Sequence, residues 1–120
     1  IMRRARLQKR ARLLKAAEFN RVFDKAMRSS DQYFTVLARL NDLEYPRLGL
    51  AISKKKAKLA VTRNRLKRII RESFRLMQQD LCCADFVVLA GNKCGTANNR
   101  RLTESLEQHW LKLNKLCAKS

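Results

Sequence analysis

Laid out at 100° per residue, the stretch from Val61 to Gln79 separates into two faces. Leu66, Ile69, Ile70, Ser73, Phe74 and Met77 share one narrow arc. Asn64, Lys67, Arg68, Arg71 and Arg75 share the opposite one. That spacing predicts an amphipathic helix with one side on a core and the other turned to a polyanion. Helical spacing recurs over Ala16 to Met27, through Phe19, Val22, Phe23 and Ala26, until Ser29-Ser30-Asp31 breaks it. It returns over about Asn99 to Ala118, through Leu102, Leu106, His109, Trp110, Leu113 and Leu116. Between these helices the period changes to two. Arg47 to Ser53 alternates Leu48, Leu50 and Ile52 with the small residues Gly49, Ala51 and Ser53, and Tyr33 to Leu40 alternates in part. With Asn41 to Pro46 as the connecting turn, the two read as a hairpin. Asp85 to Ala90 is continuously apolar, as expected of a strand buried on both faces. The order helix, hairpin, helix, strand, helix predicts a small α+β two-layer sandwich.

A chain of 120 residues with 46% hydrophobic residues makes one domain with a modest core. Its arginine-rich start reads as a basic flexible arm over residues 1–14, leaving residues 15–120 as the domain. Charge changes the picture most: 28 Lys and Arg against 10 Asp and Glu give a formal net charge of +18. Such a chain repels itself when free, and a large anion relieves the repulsion. Nucleic acid fits best, because many condensed counterions are released on binding. An anionic membrane surface fits less well, since the basic residues are spread along the chain instead of in one block. No stretch approaches the length of a membrane span, and Met2 to Lys15 lacks the apolar core of a signal peptide. The cytoplasm is the expected location.

The start of the basic helix is unusual. Arg63 and Arg65 fall in its first turn, where they oppose the helix dipole. A local choice that works against stability points to function, and exposed amides beside arginines suit an anion. Chemistry of other kinds is sparse. Cys82, Cys83, Cys94 and Cys117 show no CxxC spacing and read as free thiols, with a zinc site built from distant ligands as the alternative. His109, the single histidine, lies on an apolar stripe and reads as a packed or capping residue. Asp80 with Asp85, and Asp42 with Glu44, do not form the carboxylate cluster of a two-metal nuclease. No glycine-rich phosphate loop or nucleophile elbow is present. Phe19 and Phe23, one turn apart, fit either a packed core or a platform for unpaired bases.

Ser53-Lys54-Lys55 followed by Ala60-Val61-Thr62-Arg63-Asn64-Arg65-Leu66-Lys67-Arg68-Ile69-Ile70-Arg71-Glu72-Ser73-Phe74-Arg75 closely resembles the signature of the bacterial ribonuclease P protein family. The resemblance extends through Arg12 to Phe23, Arg47 to Ser53 and Asp85 to Ala90, in the family's order. It implies an RNA-binding accessory subunit of a catalytic RNA. That RNA, with magnesium bound mainly by the RNA itself, removes the 5′ leader from precursor tRNA. It implies a four-stranded mixed sheet with a left-handed βαβ crossover, so a short strand is missing from the pattern above. It further implies that Arg63, Asn64, Arg65, Lys67, Arg68 and Arg71 face the catalytic RNA. Phe19, Phe23 and Lys54 or Lys55 would line a cleft for the leader, with no catalytic residue in the protein. Some relatives carry a cleft tyrosine where this chain places Ala38. Two other readings share the charge and size: a ribosome-associated or structural RNA-binding protein, and a protein-only nuclease using Asp80, Asp85 or His109.

Overall fold

A computed structural model describes residues 9–118. Four strands form one mixed sheet: β1 (Met27–Ser30), β2 (Phe34–Leu40), β3 (Arg47–Ala51) and β4 (Ala84–Ala90). Their spatial order is β1-β2-β4-β3. β1 with β2 and β2 with β4 run antiparallel, while β3 and β4 are parallel, in register from Arg47 opposite Asp85 to Ala51 opposite Leu89. Three helices complete the fold: α1 (Ala16–Asp24), α2 (Ala60–Met77) and α3 (Asn99–Ala118). α2 is the crossover between the parallel strands.

Alternation along the strands sends Phe34, Val36, Ala38, Leu48, Phe86 and Val88 to one face of the sheet, where α2 and α3 cover them. The arc Leu66, Ile69, Ile70, Ser73, Phe74 is the buried face of α2, as its spacing predicts, and Met77 packs at its margin. At the centre, Phe74, Phe86 and Trp110 meet edge to face with ring centroids 5.7–5.9 Å apart. The indole of Trp110 donates to Ser73 Oγ at 2.9 Å, which explains a serine on an apolar arc.

The other face carries a smaller cluster in which Leu13, Val22 and Val87 are buried beneath Phe19, Leu37, Ala51 and Leu89. Gly49 is what allows α1 to lie so close. A Cβ there would stand 2.7 and 2.8 Å from the Phe19 ring and 3.0 Å from Leu13. Gly49→Ala should therefore displace Phe19 and cost about 1–3 kcal/mol, read as a lowered urea midpoint.

Several expectations are corrected by the fold. The first helix ends at Asp24, because Met27 to Ser30 pair with Thr35 to Ala38 as the short edge strand that the pattern did not show. The segments Tyr33–Leu40 and Arg47–Ser53 do not pair as a hairpin, since β4 lies between them and takes both sets of hydrogen bonds. Residues 1–8 lie outside the described residues, but residues 9–14 do not form a flexible arm. A 3₁₀ turn at Lys9–Ala11 leads to a bridge between Arg12 and Leu48, the Leu13 amide donates to the Leu48 carbonyl at 2.8 Å, and Ala11 and Leu13 are buried. Cys82 and Cys117 are joined in a disulfide, with Cα atoms 6.5 Å apart, where four free thiols are expected. Their meeting depends on α3 running back to the start of β4, where Asn114 accepts from the Cys82 amide at 2.8 Å and donates to the Asp80 carbonyl at 3.0 Å. Cys83 and Cys94 are free, and burial pushes the Cys94 thiol up.

Candidate nucleic-acid interface

α2 begins without a side-chain cap at Leu59 and without an acidic residue in its first turn. Arg63 and Arg65 cannot cap its free amides, since a guanidinium only donates, and they bond instead to carbonyl and amide oxygens of neighbouring segments. Arg63 Nη1 donates to the carbonyls of Ala57 and Lys58 at 2.8 and 2.9 Å. Arg65 donates to Asn99 Oδ1 at 2.8 Å and to the Ala97 carbonyl at 3.4 Å. Asn64, Arg68 and Arg71 are exposed and Lys67 is half-buried. Among the described residues their side chains make no hydrogen bond or ion pair. Glu72, the single acid of the helix, accepts from Arg75 at 2.6 Å. Lys67, Arg68 and Arg71 thus form a row of cations unpaired among the described residues, with a shallow depression of about 450 Å³ beside Val61, Thr62, Asn64, Arg65 and Arg68.

The second surface lies across the sheet. α1 is fixed there by a buried carboxylate. Asp85 is fully buried in β4 and accepts from Arg47 Nε at 2.8 Å and Nη2 at 2.7 Å. Asn41 adds a bond at 2.9 Å, and Arg21 of α1 approaches to 3.5 Å. Arg47 continues to Glu18 of α1 at 2.7 Å. Glu18 Oε1 in turn accepts the amides of Leu14 and Lys15. Those two amides, with the Arg47 charge, hold the Glu18 carboxyl below its ordinary range. Arg47 is correspondingly held more firmly protonated, chiefly by its bonds to Asp85.

So placed, α1 presents Phe19 and Phe23 with ring centroids 6.5 Å apart and planes inclined by 30°. Phe19 is half-buried against Gly49, whereas Phe23 is 47% exposed. Beyond Phe23 an open groove of about 590 Å³ has Leu37 and Leu89 among its apolar walls, and three cations, Arg28, Lys56 and Lys93, line it against one acid, Asp31. Lys54 and Lys55 are exposed in the same turn as Lys56 but do not line it. Three consecutive lysines in a turn give no spacing by which to choose among them. Ala38 is fully buried in the main core, on the face opposite the groove, and not on the groove face where the sequence reading places it. The cleft positions on β2 are Thr35 and Leu37.

The groups of a protein-only nuclease do not converge. Asp85 is committed to Arg47 on the α1 face, Asp80 is exposed after α2, and His109 is buried under the other face. His109 Nδ1 stands 2.6 Å from Ser29 Oγ, and its Nε2 faces Asp31 Oδ2 at 3.1 Å without an aligned hydrogen bond. Asp31 also accepts from Ser105 Oγ at 2.5 Å and from the amides of Tyr33 and Phe34. Burial pushes the Asp31 carboxyl up, but the Ser105 hydroxyl and these two amides outweigh it and bring it down. Ser29 is only 3% exposed, so this Ser–His–Asp contact ties β1 to α3 and admits no substrate. Among the described residues no three His, Cys, Asp or Glu side chains are grouped to hold a metal ion.

Residues 7–114 match the family model for ribonuclease P. The ribonuclease P protein component of Methylococcus capsulatus is 50% identical over 109 residues, covering 91% of this chain and 85% of that one. That of Photobacterium profundum is 44% identical over 115 residues, covering 96% and 98%. The structure of the Staphylococcus aureus RNase P protein superimposes with a TM-score of 0.80 at 32% identity, over 88% of this chain and 95% of that one.

Proposed function

The chain belongs to the ribonuclease P protein family, and we propose that its two surfaces divide the substrate complex between them. As a member it is an RNA-binding subunit of ribonuclease P, it partners the ribonuclease P RNA, and it serves 5′ processing of tRNA. The finer reading has three parts. The row Asn64, Lys67, Arg68 and Arg71 on α2 meets the ribonuclease P RNA. The groove beside Phe19, Phe23 and Lys56 receives the single-stranded 5′ leader of precursor tRNA. The hydrolysis itself is carried out by the RNA, in the cytoplasm.

The observation that supports this reading best is the contrast within the basic helix: Lys67, Arg68 and Arg71 have no partner among the described residues, opposite a face sealed in the core. Phosphates are the natural counterpart of such a row. The groove suits a different ligand, since aromatic and aliphatic walls stack bases while a cationic rim tracks the backbone. Magnesium, held mainly by the RNA, belongs to the same proposal. Asp31 is the one carboxylate lining the groove, and among the described residues no carboxylate cluster is grouped to hold the ion, so no step is assigned to a protein-bound ion.

Precursor-tRNA cleavage by a bacterial ribonuclease P RNA at low magnesium, with and without the protein, tests the proposal. Strong stimulation with a correct 5′ end, and no cleavage by protein alone, is the expected result. Cleavage by the protein alone would overturn the assignment of chemistry to the RNA. Arg68→Ala together with Arg71→Ala should flatten the salt dependence of binding to ribonuclease P RNA by about 0.7–0.9 per lost phosphate contact. An unchanged slope would remove this face from the interface.

A further inference from the structure

We propose that Arg63 and Arg65 are positioning residues for the rim of the leader groove, and not phosphate ligands like their neighbours on α2. This inference rests on the two-surface reading above and assigns a separate task to two of its cations.

The rim is made by two loops. Residues 52–59, between β3 and α2, supply Lys56, and residues 91–98, between β4 and α3, supply Asn92 and Lys93. The loops touch each other, since Lys56 Nζ bonds Asn92 Oδ1, and the buried Cys94 directs its thiol to the Lys56 carbonyl at 3.8 Å. Each loop is also held from α2 by one arginine. Arg63 donates to the carbonyls of Ala57 and Lys58, immediately after Lys56. Arg65 donates to the Ala97 carbonyl and the Asn99 side chain, where the second loop enters α3.

These carbonyls fall outside regular structure, so a lost guanidinium leaves them to water and leaves the loop with fewer constraints. Both arginines are half-buried, whereas Asn64 and Arg68 beside them are exposed. Arginine suits the task because its planar fork serves two acceptors at once, while an ammonium is a point donor. The first turn of α2 therefore joins the two surfaces: its exposed residues meet one RNA, and its two half-buried arginines set the geometry that meets the other. The opposition of Arg63 and Arg65 to the helix dipole is then the cost of bracing the rim.

The roles separate in a pair of binding measurements on the full ribonucleoprotein. One is the salt dependence of protein binding to ribonuclease P RNA. The other is the ratio of affinities for precursor tRNA with a leader and mature tRNA. Arg65→Ala should keep the salt slope of the unmodified protein and lower the leader ratio roughly tenfold, as for one net hydrogen bond lost at the rim. Asn99→Ala removes the shorter of the two Arg65 bonds without changing any charge and should reproduce most of that loss. The two together should lose no more than Arg65→Ala alone. Arg63→Ala should behave like Arg65→Ala. Arg68→Ala, measured alongside, should flatten the slope and spare the ratio.

A flattened slope for Arg65→Ala, or an unaffected ratio for Asn99→Ala, would overturn the positioning role even where Arg68→Ala behaves as expected. A slope unmoved by Arg68→Ala would instead defeat the reading of α2 as the RNA-facing helix. Thermal melts of Arg65→Ala and Asn99→Ala separate a loosened rim from a lost fold, and Asn99→Ala retains all backbone hydrogen bonding of α3.

Discussion

Asp85→Ala should lower the free energy of unfolding by about 3–5 kcal/mol, the range expected when one member of a buried ion pair is removed. Asp85 has no exposed surface, and its two oxygens accept from Arg47 twice, from Asn41 once, and face Arg21. Alanine leaves the half-buried Arg47 guanidinium with Glu18 as its one remaining acidic partner. It also removes the link by which β4, β3 and α1 share a charge network. Asp85→Asn keeps the shape and part of the hydrogen bonding, so it should fall between alanine and the unmodified protein. Urea unfolding at neutral pH measures all three. A cost for Asp85→Ala below about 1 kcal/mol would show that packing on Gly49, and not this network, seats α1.

Two carboxylates give an acid signature, Glu18 of this network and, separately, Asp31 beside Ser105. Glu18 and Asp31 are both held below their ordinary carboxylate values, so in the folded state they stay ionised at a pH where the unfolded chain binds protons. Their contribution is fully present above the unfolded values, about 4, and is lost as pH falls through the lower folded ones. Stability should therefore fall below about pH 4.5. The fall attributable to Glu18 should be smaller in Arg47→Ala, where the charge is gone, but should persist because the Leu14 and Lys15 amides remain.

What was legible in the sequence was whatever a helix or a strand settles within itself. The α2 arcs are an example, since 100° spacing alone decides that Leu66 and Ile70 go inward and Arg68 outward. The family signature in Arg63-Asn64-Arg65 and its flanks was legible for a different reason, because it is carried by residue identity. The failures are non-local. Met27-Arg28-Ser29-Ser30 has little apolar alternation of its own and is a strand because β2 offers it partners. The strand inserted between β2 and β3 comes from beyond α2, so adjacency in sequence suggested the wrong pair. Ala38 differs from the cleft residue Leu37 by a single position, and a shift of one residue exchanges the faces of a strand. The bonds that hold Arg63 and Arg65 are made to residues up to 34 positions away. Nothing in the run of arginines distinguishes them from Arg68.

Phe23→Ala should weaken binding of leader-bearing precursor tRNA by about 1–3 kcal/mol, as for one lost base stack, and leave mature tRNA unaffected. Phe23 is the cleaner of the two aromatic probes because 47% of it is exposed and it lines the groove. Its removal therefore takes little from the core. Phe19 has two duties. It fills the space that Gly49 leaves over the sheet, and it extends the aromatic surface toward Phe23. Phe19→Ala should consequently lose stability as well as leader affinity, whereas Phe23→Ala loses leader affinity with an unchanged melting temperature. Leucine at each position refines the distinction. It restores most of the apolar contact at Phe19 but offers no π-face, so stability should return there while the leader affinity does not. If Phe23→Ala binds leader-bearing and mature tRNA in the same proportion as the unmodified protein, the groove is not the leader site. The exposure of Phe23 would then need another partner. The leader length at which the difference saturates also reports how far the strand runs, because only nucleotides that reach Arg28, Lys56 and Lys93 add the salt dependence of the cationic rim.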